Sequence, residues 1–230
     1  MPQKISTGCR IIDGILEGGI ANESVNLIYG EPETGKTAMA MQCAINCARQ
    51  SFKTLFIDCD GTFSAERLSQ IASEDFDRIA DLIVLMRPKD FREQTLIIDR
   101  SADYVTGHFG LIVFDTITSL YRAEIAESPA KAFGLNRELN RQLACLAQTA
   151  KLSRITMLVT SQVRTAFEEE NVSVEPVASR VLKFWADTII NLKFTENQHV
   201  IKAILEKPKV QNPACYLKIE KSGMVEYAAH

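Results

Sequence analysis

Eight consecutive residues carry the strongest chemistry in this chain. Gly30-Glu31-Pro32-Glu33-Thr34-Gly35-Lys36-Thr37 fits G-x-x-x-x-G-K-[ST]. In such a phosphate cradle the glycines let backbone N–H groups turn toward the phosphates with no Cβ in the way. The lysine reaches the β- and γ-phosphates and the hydroxyl holds Mg²⁺. At average residue usage the pattern arises by chance in roughly one chain in a hundred of this length. The rate falls further when a strand must precede it and a helix must follow. Both are present here, in Ser24–Gly30 and Thr37–Gln50, which sets aside the reading of a plain glycine turn with an ordinary lysine.

A P-loop NTPase also needs a carboxylate on a neighbouring strand to hold the water shell of Mg²⁺. The run Leu111–Asp115 supplies one: four apolar residues, then Asp115 at the strand's C-terminal end, where α/β sheets bind ligands. Taken by itself, a buried strand ending in aspartate is a weak signal.

These residues have to be positioned by an alternating α/β chain. Short continuous apolar runs read as strands at Ser24–Gly30, Thr54–Asp58, Asp81–Pro88, from Phe109 onward and at Arg154–Val163. Such runs fit a parallel sheet covered by helices on both faces. Helical patterns lie between them at Thr37–Gln50, Ser64–Glu74, Lys89–Val105 and Gly134–Ser153. In the last, Leu135, Leu139, Leu143, Leu146 and Ala150 form one stripe. The segment Arg164–Ser179 is polar, lacks apolar periodicity and is long for a loop. Asp187–Thr195, His199–Lys207 and Cys215–Tyr227 alternate and are separated by turn signals, which predicts an antiparallel extension of the sheet.

At 230 residues, 46% of them hydrophobic, the chain reads as a single core domain spanning 1–230, with no interdomain linker or repeat. A net charge of −3 gives no global basic field for nucleic acid, although a local basic groove fits within an acidic protein. No stretch is long and apolar enough to span a bilayer, and the first ten residues carry no apolar signal core, so a cytoplasmic protein without a membrane partner is expected. Six scattered cysteines suit reduced thiols; Cys43 and Cys47 share a helix face without a second pair at ligand spacing.

The order and spacing of "ISTGCRIIDGILEGGI", the P-loop, "FIDCDGTFSAERL", "LIVFDTITSLYRAE" and "LVTSQV" resemble the core ATPase domain of the RecA/RadA recombinases. Within them the layout is most similar to the archaeal paralogues of the RadB type, without the helical N-terminal DNA-binding domain. The resemblance runs from about Ile5 to the C-terminus. It implies a RecA-type P-loop α/β fold with a mostly parallel central sheet and antiparallel C-terminal edge strands. It implies ATP and Mg²⁺ as cofactors, with Gly30 to Thr37 on the phosphates and Thr37 and Asp115 on the metal. Asp60 falls where the family carries the glutamate that activates the attacking water. Arg67 falls where an arginine stacks on adenine, and Gln162 where a glutamine senses the γ-phosphate. Tyr121–Phe133 and Arg164–Ser179 would be the first and second DNA-binding loops. Aspartate in place of glutamate predicts slow hydrolysis, and Ser161 stands where asparagine is usual.

Other readings stay open beside these. Asp60-Gly61 is equally a turn signal, and Arg67 equally a solvated helix arginine. Lys207 and Lys209 suit either a neighbour's nucleotide or a charged hairpin turn. Glu168, Glu169 and Glu170 oppose phosphate in the second loop, which offers only Phe167 for stacking. The basic candidates are Arg122, Lys131, Arg137 and Arg141, then Arg180, Lys183 and Lys193. The expectation is modest DNA binding in homologous recombination and repair, in support of a full-length RadA-type recombinase, with self-association open. A KaiC-like regulatory ATPase without a DNA role, and a pseudo-ATPase scaffold, are the alternatives.

Overall fold

The structure, a computed structural model, describes residues 4–105, 107–168, 171–208 and 213–227, with backbone alone between 164 and 174. Near the N-terminus, β1 (Lys4–Ile5) and β2 (Ile20–Ala21) form a small ribbon around α1 (Arg10–Ile15). Then follow β3 (Val25–Gly30), α2 (Lys36–Arg49), β4 (Lys53–Asp58), α3 (Ala65–Ala72), α4 (Phe76–Ala80), β5 (Ile83–Met86), α5 (Phe91–Asp99) and α6 (Ser101–Tyr104). The second half runs through β6 (Phe109–Asp115), α7 (Ser119–Glu127), α8 (Ala132–Leu152), β7 (Thr156–Glu168), β8 (Asn171–Pro176) and α9 (Ser179–Trp185). It closes with β9 (Thr188–Phe194), β10 (Ile201–Lys207), β11 (Ala214–Glu220) and β12 (Gly223–Glu226).

The main sheet has the order β12-β11-β10-β9-β3-β7-β6-β4-β5, with β8 paired to β7 outside that path. From β9 to β5 every pairing is parallel. Alternation along each central strand sends side chains to two cores. Ile28, Phe56, Leu111 and Val113 face α2, α3 and α4, while Leu27, Leu55, Ile112 and Phe114 face α5, α8 and α9. Small residues let α2 approach the sheet closely: Ala38, Ala40, Cys43, Ala44, Cys47 and Ala48 are all buried. Gln42 on this helix ties down the last strand, donating to the Met224 carbonyl (3.0 Å) and accepting from its N–H (2.8 Å).

The parallel sheet with an antiparallel C-terminal edge is as expected, with two differences of detail. Asp187–Thr195 contains β9, which runs parallel to β3, so the antiparallel part begins at β10. The cause is α9, a seven-residue helix that returns the chain across the sheet before β9. Among the described residues both proposed DNA loops contain regular structure. Tyr121–Phe133 is most of α7, a 3₁₀ turn at Pro129–Lys131 and the first residues of α8. Arg164–Ser179 contains the β7–β8 hairpin, in register from Val163↔Pro176 to Glu168↔Asn171. Its sequence hides this because only "NVSV" alternates and three consecutive glutamates interrupt the pattern. Glu169, Glu170 and Lys209 lie outside the described residues, as do the side chains of Arg164, Phe167 and Glu168.

Candidate nucleotide site

The loop from β3 to α2 lies at the C-terminal ends of the central strands. Gly30 cannot carry a side chain, since a Cβ there would meet the Leu192 carbonyl oxygen at 2.3 Å. Gly35 adopts φ 91 at the N-cap of α2, and a Cβ would strike Met224 Sδ at 2.3 Å. Between them Pro32 and Glu33 are exposed at the crest, with Glu33 at φ 65. Thr34 is buried and its hydroxyl donates to the Glu31 carbonyl at 2.8 Å, bracing the loop from beneath.

Lys36 is buried and its ammonium donates to the carbonyls of Gly30 (3.0 Å) and Glu31 (2.7 Å). Burial pulls its pKa down; the carboxylates of Asp115, Asp60 and Glu31 pull it back up. The charges of Asp115 and Asp60 thus both act on Lys36, although Asp60 is 24 residues from the lysine and 55 from Asp115 in the chain.

Asp115 ends β6 with no solvent exposure. Oδ1 accepts from the Thr160 hydroxyl at 2.5 Å, whereas Oδ2 is buried without a hydrogen-bond partner. Burial raises its pKa, and the hydroxyls of Thr160 and then Thr37 lower it. A buried carboxylate oxygen without a donor, close to a threonine hydroxyl, is a hard-oxygen arrangement that suits Mg²⁺. Among the described residues no group of three or more His, Cys, Asp or Glu side chains is arranged to hold a metal ion by itself.

An open cavity of about 500 Å³ extends from this point, lined among others by Lys36, Thr37, Thr62, Arg67 and Ile219. Arg67 stands in α3, whose N-cap Ser64 accepts from the Arg67 N–H at 3.1 Å. Its guanidinium donates to the carbonyls of Glu220 (2.6 Å) and Lys221 (3.0 Å), fixing it against the β11–β12 turn. It is thus no freely solvated arginine.

Gln162 lies directly opposite Gly30 in the β3–β7 register, and its amide oxygen accepts from Arg122 of α7. Beside it the hydroxyls of Ser161 and Thr118 meet at 3.1 Å in the interior. Reading the sequence did not single out Thr160, Thr118 or Asp58. The available signal was the pair Thr160-Ser161, two hydroxyls inside an apolar strand that ends at Gln162.

The basic candidates separate into two groups. Arg122 binds Gln162, Arg141 bridges Asp99 (2.7 Å) and Glu138 (2.7 Å), and Lys183 pairs with Glu206 (3.3 Å). Lys131, Arg137 and Arg180 are exposed and Lys193 is half-buried, and none of the four enters an ion pair with a described residue. Lys207 donates to the carbonyls of Lys183 (3.1 Å) and Ala186 (2.9 Å) and so closes the end of α9 within its own chain. No helix among the described residues is long and apolar enough to cross a membrane.

Comparison with known proteins adds three findings. The family model described as Rad51 matches residues 3–227. Curated relatives described as "DNA repair and recombination protein RadB" include one from Methanobrevibacter smithii, 32% identical over 220 residues, covering 93% of this chain and 92% of the relative. Another, from Methanocaldococcus jannaschii, is 34% identical over 193 residues, covering 84% and 88%. A solved structure described as "Crystal structure of the RadB recombinase" shares the fold with a TM-score of 0.82 at 30% identity, covering 97% of this chain and all of that one.

Proposed function

The chain belongs to the Rad51 family and is RadB-like within it; from that premise we propose a recombination and repair protein that binds ATP, hydrolyses it slowly and contacts DNA as a single core domain. The observation carrying this is that Lys36 and Thr37 line one cavity with Arg67 and Ile219, while the charges of Asp60 and Asp115 act on Lys36. ATP lies with its phosphates in the Gly30–Thr37 cradle and its base against the held guanidinium plane of Arg67. Thr37 and Asp115 would hold Mg²⁺, whose charge offsets that of the phosphates. Lys36 would exchange its backbone carbonyls for phosphate oxygens, and the Asp60 carboxylate would orient a water and take its proton as the water oxygen bonds the γ-phosphorus and the bond to the departing ADP breaks.

Gln162 is the point of exit. It stands beside Gly30, holds Arg122 of α7, and opens directly into the hairpin. A change at the γ-phosphate therefore passes to both segments assigned to DNA. Lys131, Arg137, Arg180 and Lys193 supply the phosphate contacts, which makes the binding modest and salt-sensitive. A full-length RadA-type recombinase docks on the edge of β5, which has no second strand neighbour among the described residues and where Val84 and Leu85 are exposed. The internal pairing of Arg122, Arg141 and Lys183 favours a second reading, a regulatory ATPase of the KaiC type with no DNA role. Titration of fluorescent single-stranded DNA with and without ATP, at two salt concentrations, separates them. ATP-enhanced binding that weakens with salt supports the first reading; no retention at the lower salt overturns it.

A further inference from the structure

Asp58 ends β4 two residues before Asp60, and its side chain has no exposure. It accepts from the N–H groups of Thr62 (3.0 Å) and Phe63 (3.1 Å) and from Arg87 Nε (2.9 Å). Arg87 Nη2 donates in turn to the Phe63 carbonyl at 3.0 Å. The buried acid thus draws the chain from Asp58 to Phe63 into a closed arc, and one guanidinium bridges both of its feet. Asp60 and Gly61 stand at the crown, with Gly61 at φ 70. The crown carries Asp60, whose charge acts on both Lys36 and Asp115, and Thr62 lines the cavity together with Lys36.

Arg87 follows β5, and Ile57↔Met86 is the last pair in the β4–β5 ladder, so neither sheet nor core needs a guanidinium at this point. Its side chain is 53% exposed, which argues against a role in packing. What it does contribute is a charge and a two-point geometry for a carboxylate that would otherwise be buried without a counter-ion.

We propose that Arg87 is a positioning residue for ATP turnover: it fixes the Asp58–Phe63 arc and through it the reach of the Asp60 carboxylate to the attacking water. This rests on Asp60 being the water-activating group. The arc holds one hydrogen-bonded geometry with Arg87 in place, and a shift of about 1 Å at a general base costs on the order of a hundredfold in rate.

Phosphate release followed over hours, with nucleotide affinity measured separately for ADP and a non-hydrolysable ATP analogue, tests the idea in Arg87→Ala, Arg87→Lys and Asp60→Ala. The expected result is a kcat at least tenfold lower in Arg87→Ala, affinities within about twofold of wild type, and partial recovery of kcat in Arg87→Lys, which keeps the charge but not the fork. Should Arg87→Ala fail to fold, Arg87→Lys alone still decides, because a reduced kcat at unchanged affinity is required of it. An inactive Asp60→Ala beside an unchanged Arg87→Ala overturns the role of Arg87 and leaves Asp60 in place. Equal loss of kcat and affinity in the arginine variants also overturns it. Wild-type turnover in Asp60→Ala, or no phosphate release from the wild type, removes the assignment of Asp60 and this inference with it.

Discussion

One strand, β7, builds two unlike regions. From Thr156 to Gln162 it lies between β3 and β6, and there each buried hydroxyl has a fixed partner: Thr160 on Asp115, Ser161 on Thr118. From Val163 to Glu168 it pairs only with β8. A buried polar group costs free energy unless it is bonded, so the first half has one arrangement, imposed by the core. A two-stranded ribbon has no such constraint and is marginal by itself. The P-loop end is held by the core; the region past Gln162 is held by the β7–β8 pairing.

The largest test falls on the P-loop end. Lys36→Ala should weaken nucleotide binding by on the order of a hundredfold, through loss of charge-assisted bonds to phosphate, while the unfolding midpoint stays near wild type. Calorimetric titration reads this, and affinity within a few-fold of wild type would remove the phosphate cradle from the comparison altogether.

A smaller effect tests the same end. Aspartate at position 60 is one methylene shorter than glutamate and pulls the carboxylate back by about one C–C bond, ~1.5 Å. Asp60→Glu should therefore raise turnover several-fold with little change in ATP affinity. Steady-state rates unchanged in both Asp60→Glu and Asp60→Ala would make residue 60 a turn residue, with another group activating the water.

The smallest effect belongs to the other region. Lys193→Ala should weaken single-stranded DNA binding only a few-fold and make the salt dependence shallower, by roughly 0.7 in the log–log slope for one lost phosphate contact. A loss as steep as that in Lys36→Ala would mean that this surface, too, is built around a single indispensable charge.

The same contrast governs what could be read from the sequence. Gly30, Gly35, Lys36 and Thr37 were legible because their geometry is local and only certain residue types permit it. Asp115 was legible from the strand it ends, and α8 from its leucine stripe. Pairings set by strand order were not. Arg67 reaches carbonyls more than 150 residues away, Arg87 crosses to Asp58, and Arg122 crosses to Gln162. Nothing in the spacing announces these partners. The short α9 carries no such signal either, being seven residues with no side-chain cap, and the direction of β9 depends on it. Lys207, whose sequence context suits either a neighbour's nucleotide or a turn, is engaged at the end of that helix.

The 13-residue length of β7 has a mechanical corollary. Its first seven residues are clamped in the sheet, and the six beyond Gln162 run out over about 20 Å at the usual strand rise. A beam held at one end converts rotation at its support into travel at its tip, so a tilt of about 5° at Gln162 moves the far end by roughly 1.5 to 2 Å over that length. A side-chain rearrangement too small to disturb the sheet thus becomes, at the end of the ribbon, a displacement comparable to a bond length or more.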